Sequence, residues 1–97
     1  MAKFLIESPH DPDRIACARI VESFLRSGSH FLTHADWGFL DGDHKAWIMG
    51  EFNSKDEARS ILPPAMRAQA KVVRLNTFTL EKIEAILCEH QATGQRG

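Results

Sequence analysis

SHFLTHADWGFLDGDHKAWIMGEF, residues 29–52, consists of two runs of alternating, strand-forming residues separated by a turn signal. The signal is the dipeptide Asp41-Gly42, which favours a two-residue β-turn between antiparallel strands. A turn of that length also determines which residues of the two strands pair. The stretch therefore predicts a β-hairpin near the middle of the chain.

The predicted turn assigns the residues of the hairpin to two faces. Trp37 pairs with Ala46 and Asp36 with Trp47, and paired residues point to the same side of a sheet. The side expected to pack against helices carries Phe31, Thr33, Ala35, Trp37, Ala46, Ile48, Gly50 and Phe52. The opposite side, the open face, carries His30, Leu32, His34, Asp36, Trp47, Met49 and Glu51. A register shift of one residue would exchange the two sets on one strand.

Local signals predict the remaining elements. A mostly apolar strand at 3–8 precedes an amphipathic helix that Asp11 caps and Gly28 closes. Ser54 and Glu57 form a capping box for a short second helix. The chain then contains a strand at 71–78 and a last helix from Thr79. This β-α-β-β-α-β order with a C-terminal helix predicts an α+β, ferredoxin-like fold, in which two helices cover one side of a four-stranded antiparallel sheet.

Size and composition indicate one domain, residues 1–91, with a flexible tail at 92–97. Of the 97 residues, 43% are hydrophobic and 26% charged, which is typical of a globular protein. A net charge of -1 does not suit a general nucleic-acid binder. No apolar run reaches the roughly 20 residues that span a bilayer, and the first residues lack a signal-peptide pattern, so we expect a cytoplasmic protein without membrane contact.

The open face is the first candidate for function. Leu32, Trp47 and Met49 together would form an exposed apolar patch, and such patches mark interaction sites. A homodimer interface, or cover by the terminal helix, would explain the patch. A pocket for a small organic molecule within that interface is compatible with either explanation.

His34 and Asp36 are the candidate catalytic pair. Two residues apart on a strand, they would share a face with Cα atoms roughly 6.5–7 Å apart. A carboxylate at that distance can orient an imidazole for acid–base work, with His34 as base and Asp36 as its orienter. The alternative is two solvated polar groups. Glu51 is expected at the rim of the site.

Strand four contributes further candidate ligand-binding residues. Arg74 and Asn76 share one face of the predicted strand, and Val73 and Leu75 share the other. If Val73 and Leu75 face the helices, Arg74 and Asn76 join His34 on the open face. The predicted ligand-binding residues are therefore Leu32, Trp47, Met49, Glu51, Arg74 and Asn76.

The histidines do not predict a metal site. His30 and His34 would chelate a metal on a helix, but on a strand their imidazoles are about 13 Å apart. His44 follows the turn and is expected to be exposed, and His10 lies in a loop where histidines are usually solvated. A site would need His34 together with Asp36 and another strand or subunit. We therefore predict neither a metal nor a cofactor.

The two cysteines are interpreted as structural. Cys17 and Cys88 lie in separate predicted helices and outside any recognisable catalytic signature. In a reducing cytosol they are most simply buried thiols rather than a disulfide.

The third predicted strand, residues 45–52, is compared with the sheet motif of RNA-recognition motifs, which share this element order. Lys45, Trp47 and Phe52 match the basic and aromatic positions of that family's sheet motif, whereas Ala46 and Met49 depart from it. The acidic residues of the open face would also repel phosphates. RNA binding is therefore the least favoured alternative.

The span from Lys3 to about Leu87 resembles the dimeric α/β-barrel superfamily of ferredoxin-like domains. The resemblance rests on element order, length, the Asp-Gly hairpin and the apolar open face. The segment His30 to Gly38, His-x-x-x-His-Ala-Asp-Trp-Gly, and Leu62 to Pro64, Leu-Pro-Pro, also resemble a group of short bacterial proteins without an assigned activity. The superfamily, which includes cofactorless monooxygenases and muconolactone isomerase-like enzymes, implies a homodimer with face-to-face sheets. A fold alone does not supply the reaction.

The sequence thus predicts a homodimer that binds a small organic molecule on the open face or at the dimer interface. Whether it is an enzyme stays open. As an enzyme it would catalyse proton transfer, as an isomerase does, or cofactorless oxygenation. The alternative is a ligand-sensing or protein-interaction module without chemistry.

Overall fold

The computed structural model describes residues 1–94, with side chains as far as residue 89. It is an α+β protein with a four-stranded antiparallel sheet and helices, consistent with a ferredoxin-like fold. The elements in chain order are β1 (Ala2–Pro9), α1 (Arg14–Arg26), α2 (His30–Thr33), β2 (Asp36–Trp37), β3 (Lys45–Phe52), α3 (Lys55–Ser60), α4 (Pro64–Arg67), β4 (Lys71–Leu75) and α5 (Leu80–Gly94). No described helix is long and apolar enough to cross a membrane.

The sheet has the strand order β2-β3-β1-β4, so β1 and β3 are central. On both central strands alternate residues are buried, which is the pattern of a sheet covered on one side. Helices α1 to α4 supply the cover, because their apolar residues join the sheet in one core. The buried residues of this core are Phe4, Ile6, Phe24, Leu32, Ala46, Ile48, Phe52, Ala58, Leu62, Ala70 and Val72.

The first half of the predicted hairpin is wrong. Residues 30–33 form the helical turn α2, and β2 is only Asp36–Trp37. Ser29 caps the turn, since its hydroxyl accepts a hydrogen bond from the backbone N–H of Leu32. The predicted pairs of Asp36 with Trp47 and Trp37 with Ala46 are confirmed.

The connection from β2 to β3 is longer than the predicted two-residue turn. Residues Phe39–Asp41 form a 3-10 turn, and Gly42 follows with φ of 85°, a conformation that favours glycine. The N–H of Asp43 and that of Asp41 both donate to the carbonyl of Gly38. The Asp-Gly signal therefore marks a turn, but one of a different type.

Two residues predicted for the open face lie elsewhere. Leu32 is buried in the core with 6% of its surface exposed, because the helical turn directs it toward α1 and the sheet rather than across β3. Arg74 pairs with buried Phe4 and so lies on the helix side, whereas Val73 pairs with Leu5 on the open face. The register of β4 is thus the reverse of the one assumed for Arg74.

Most predicted helix boundaries are close to the observed ones. Asp13, rather than Asp11, caps α1 by accepting from the N–H of Ala16. Ser54 caps α3 as predicted, with Glu57 N–H donating to its hydroxyl at 3.1 Å, but the Glu57 carboxylate accepts from the N–H of Asn53 rather than from that of Ser54. A loop is predicted at residues 65–70, but Pro64 opens the short helix α4, in keeping with the preference of proline for a first helical position.

The last helix, α5, extends the molecule along one axis. The Cα radius of gyration is 18.0 Å, against about 12–13 Å for a compact chain of this length. Thr79 caps the helix as predicted, since its hydroxyl accepts from the N–H of Lys82. The helix continues to Gly94, within the tail predicted for 92–97, and residues 95–97 lie outside the described part of the chain.

Candidate functional site

Three of the predicted site residues share one surface depression. His34, Met49 and Glu51 line a cavity of about 440 Å³ at the β3 side of α2. The other lining residues are Met1, His30, Phe31 and Gly50. The remaining predicted site residues lie outside the lining of this cavity: Leu32, Asp36, Trp47, Arg74 and Asn76.

His34 and Asp36 do not form the predicted pair. His34 follows α2 as its C-terminal cap, so the two residues do not share a strand. Its Nδ1 lies 2.8 Å from the carbonyl oxygen of His30 and 3.2 Å from the hydroxyl of Thr33. Within the described chain no hydrogen bond or ion pair joins His34 to Asp36. The His34 imidazole is therefore oriented by the backbone of α2 and not, as predicted, by the Asp36 carboxylate.

Trp47 lies on the open face but is held by its neighbours. Its indole N–H donates to the Glu7 carboxylate at 3.3 Å, and Lys45 lies 3.6 Å from the same oxygen. Glu7 pairs with Trp47 across β1 and β3, which explains the contact. The indole is half-buried and tethered, so Met49 is the more exposed apolar residue of this strand.

His10, Cys17 and His44 form a second cluster, which is not predicted from the sequence. His10 directly follows β1 and His44 directly precedes β3. Because these strands are antiparallel neighbours, the two histidines meet at one end of the sheet, where the N–H of His10 donates to the carbonyl of His44. Cys17, in the second turn of α1, points into the same place and is fully buried.

The three side chains have the spacing of metal ligands. One ligand atom of each lies within 4.8 Å of the other two. The Cys17 Sγ is 3.2 Å from Nδ1 of His10 and 3.6 Å from Nδ1 of His44. In a tetrahedral zinc site with Zn–S near 2.3 Å and Zn–N near 2.0–2.1 Å, the S···N edge is about 3.5–3.6 Å. The two S···N distances of the cluster, 3.2 and 3.6 Å, are close to this edge length.

The Cys17 thiol is not set up as a free nucleophile. Burial raises its pKa above the ordinary value, and the nearby charges of Asp11 and Asp13 raise it further. The thiol donates a hydrogen bond to the carbonyl oxygen of Asp11 at 3.1 Å. A neutral buried thiol is inert, whereas a cation at the cluster would stabilise the thiolate and be attracted by the same two carboxylates.

The surroundings of the cluster combine aromatic walls with an adjacent cavity. The His10 ring contacts Trp37 and Phe39, with ring centroids 5.7 and 6.4 Å apart. Its Nε2 is buried without a hydrogen-bond partner among the described residues. A cavity of about 310 Å³ adjoins the cluster and is lined by Arg14, Phe39, Leu40, Gly42 and His44. His44 therefore belongs both to the cluster and to the wall of a cavity.

The chain matches no protein-family model, no curated protein and no solved structure.

Proposed function

We propose that the protein binds a transition-metal ion, with zinc as the best fit, through His10, Cys17 and His44. The observation that carries the proposal is the convergence of one sulfur and two imidazole nitrogens within 4.8 Å, with both S···N distances close to the edge of a tetrahedral zinc site. Three separate elements bring these atoms together, so the arrangement is a product of the fold rather than of local sequence.

The ligand types select the metal. A thiolate and two imidazoles suit zinc or copper, whereas calcium and magnesium require oxygen ligands. Copper sites of this His₂Cys type commonly add an axial methionine. Among the described residues no methionine lines the cavity beside the cluster, which favours zinc.

The site is more similar to catalytic zinc sites, which exchange one ligand, than to structural zinc sites, which are closed. Structural zinc usually has four protein ligands, whereas catalytic zinc has three and takes water or substrate at the fourth position. Here three ligands adjoin the cavity that His44 helps to line. We infer that the fourth ligand enters from this cavity, with Arg14 available to an anionic group.

Cobalt titration tests the metal proposal. We expect one equivalent of Co²⁺ to give the visible bands of a tetrahedral complex and a thiolate-to-metal charge-transfer band, because cobalt takes the same geometry with these ligands. One equivalent of Zn²⁺ should then bleach both. A cobalt spectrum of octahedral, oxygen-only type, or none at all, would contradict the proposal.

We propose as a second function that the depression beside α2 binds a small organic molecule. Its volume, about 440 Å³, lies in the range of small-molecule sites. The His30 and His34 rings lie 4.5 Å apart at its wall, and Glu51 adds a carboxylate. The depression thus offers polar groups of both proton-donating and proton-accepting kinds beside an apolar surface.

Native mass spectrometry of the purified protein tests the second function. We expect a retained organic adduct in the wild type and in Asp36→Asn, since Asp36 does not line the depression, and its loss in His34→Ala. Loss in both variants would instead support the catalytic pair that the sequence predicts. A wild-type protein that carries no adduct would contradict binding here.

A further inference from the structure

The open face of the sheet exposes a patch of apolar side chains. Leu5 is paired with Met49 on one side and with Val73 on the other, so these three lie in a row across β3, β1 and β4. Leu75 extends the patch along β4. Met49 is 58% exposed, and helices α1 to α4 pack on the other side of the sheet. The patch is unusual for a sheet face in water.

Helix α5 exposes a second apolar surface. Leu80, Ile83 and Leu87 follow helical spacing on one side, with Ile86 beside them. Leu80 is 73% exposed, Ile86 46% and Leu87 53%. An amphipathic helix of this kind gains most of its stability from packing that side against a partner. The apolar patch of the sheet and the apolar side of α5 are thus both left uncovered by the rest of the described chain.

We propose that a second copy of this chain covers both surfaces, with α5 of each protomer packed on the open face of the other. A two-fold axis makes this exchange reciprocal and closed, so it ends at a dimer. The dimensions agree. The apolar side of α5 from Leu80 to Leu87 is about 10 Å long, and the row of Met49, Leu5 and Val73 across three neighbouring strands also spans about 10 Å.

Charged residues border both surfaces. Glu84 lies on one edge of the apolar side of α5 and Lys82 on the other, and both are exposed. Lys3 and Lys71 border the apolar patch, where they are paired with Glu51 and Glu7 on the neighbouring strands. Opposite charges at the rim set the orientation of the helix on the face and weaken with salt.

Helix α5 projects from the rest of the domain, and local contacts hold its start. Thr79 caps the helix through the N–H of Lys82, and its carbonyl accepts from Ile83 N–H. The Lys82 ammonium lies 5.3 Å from the centre of the Phe78 ring. The longest dimension of the chain is 58 Å, against 28 and 23 Å for the other two. The apolar side of α5 is therefore accessible to a neighbour.

Sedimentation of matched variants tests the exchange. Leu87→Lys places a charge on the apolar side of α5, and Ala85→Lys places the same charge on the opposite side, both at exposed positions. Losing a buried leucine at each of two symmetric contacts should raise the dimer dissociation constant about 100-fold or more, and Ala85→Lys should leave it unchanged. A wild type that stays monomeric, or a dimer that Leu87→Lys leaves intact, would overturn the proposal. The second result would favour direct sheet-to-sheet packing.

A mixture of labelled and unlabelled protein distinguishes exchange of α5 between protomers from an α5 that folds back onto its own sheet. Cys88 in α5 is exposed whereas Cys17 is buried, so a nitroxide can be attached to α5 alone. Spin-labelled, unenriched protein is mixed with unlabelled, ¹⁵N-enriched protein. We expect broadening of the amide signals of Met49 and Val73, which only a helix from another copy can cause. Unchanged signals in a dimeric sample would contradict the exchange.

Discussion

Cys17→Ser is expected to abolish zinc binding, with a loss of affinity of about 100-fold or more. Thiolate is the strongest of the three ligands for zinc, and a serine hydroxyl stays protonated and binds it poorly. The substitution leaves the fold intact, because the buried hydroxyl can donate to the Asp11 carbonyl as the thiol does. Competition of the protein with a chromophoric chelator for zinc measures the affinity directly.

The chain offers a matched control for this variant in its other cysteine. Cys88 is exposed on α5 and lies outside the cluster. Cys88→Ser should therefore bind zinc with wild-type affinity. If Cys17→Ser also retained that affinity while circular dichroism showed an intact fold, the thiol would not be a ligand, and the cluster would be a hydrogen-bonded core feature.

The pairing of β2 with β3 could be predicted from the sequence because it depends on the position of the turn. The Asp41-Gly42 dipeptide indicates the chain reversal, and counting outward from it places Ala46 and Ile48 on the helix side and Trp47 and Met49 on the open face, as observed. The connection is longer than two residues but is still centred on Asp41-Gly42. A register read from the position of the turn therefore survives an error in the turn type.

The helical turn α2 could not be predicted, because its pattern is ambiguous. Phe31 and Thr33 are residue types common in strands, while Ser29 is also a good helix cap. Tertiary packing decides between the two. The turn places Leu32 in the core beside α1 and β3, and the docking of α1 is not indicated by the local sequence.

The metal cluster could be predicted in part. The element order makes β1 and β3 antiparallel neighbours, so His10 after one strand and His44 before the other had to meet at one end of the sheet. Spacing along the chain, as from His30 to His34, does not indicate pairs of histidines that form across strands. The contribution of Cys17 depends on how α1 docks, which the sequence does not determine.

Leu32→Ala is expected to lower the free energy of unfolding far more than Met49→Ala, although the sequence predicts both residues on the open face. Leu32 is 6% exposed, and removing its side chain leaves a cavity that costs about 2–5 kcal/mol of the free energy of unfolding. That is a large share of the roughly 5–15 kcal/mol available to a domain. Met49 is 58% exposed, so its truncation should change stability by about 0.5 kcal/mol or less.

Urea denaturation measures both values, in a Leu87→Lys background so that association of protomers does not contribute. The difference depends on a single structural fact, whether residues 30–33 form a helical turn or a strand. A strand would expose Leu32 beside Met49 on the open face and make the two substitutions equally mild. Equal urea midpoints for the two variants would therefore support the predicted hairpin. A difference of several kcal/mol in the free energy of unfolding would establish that Leu32 points into the core. The same helical turn positions His34 beside the depression.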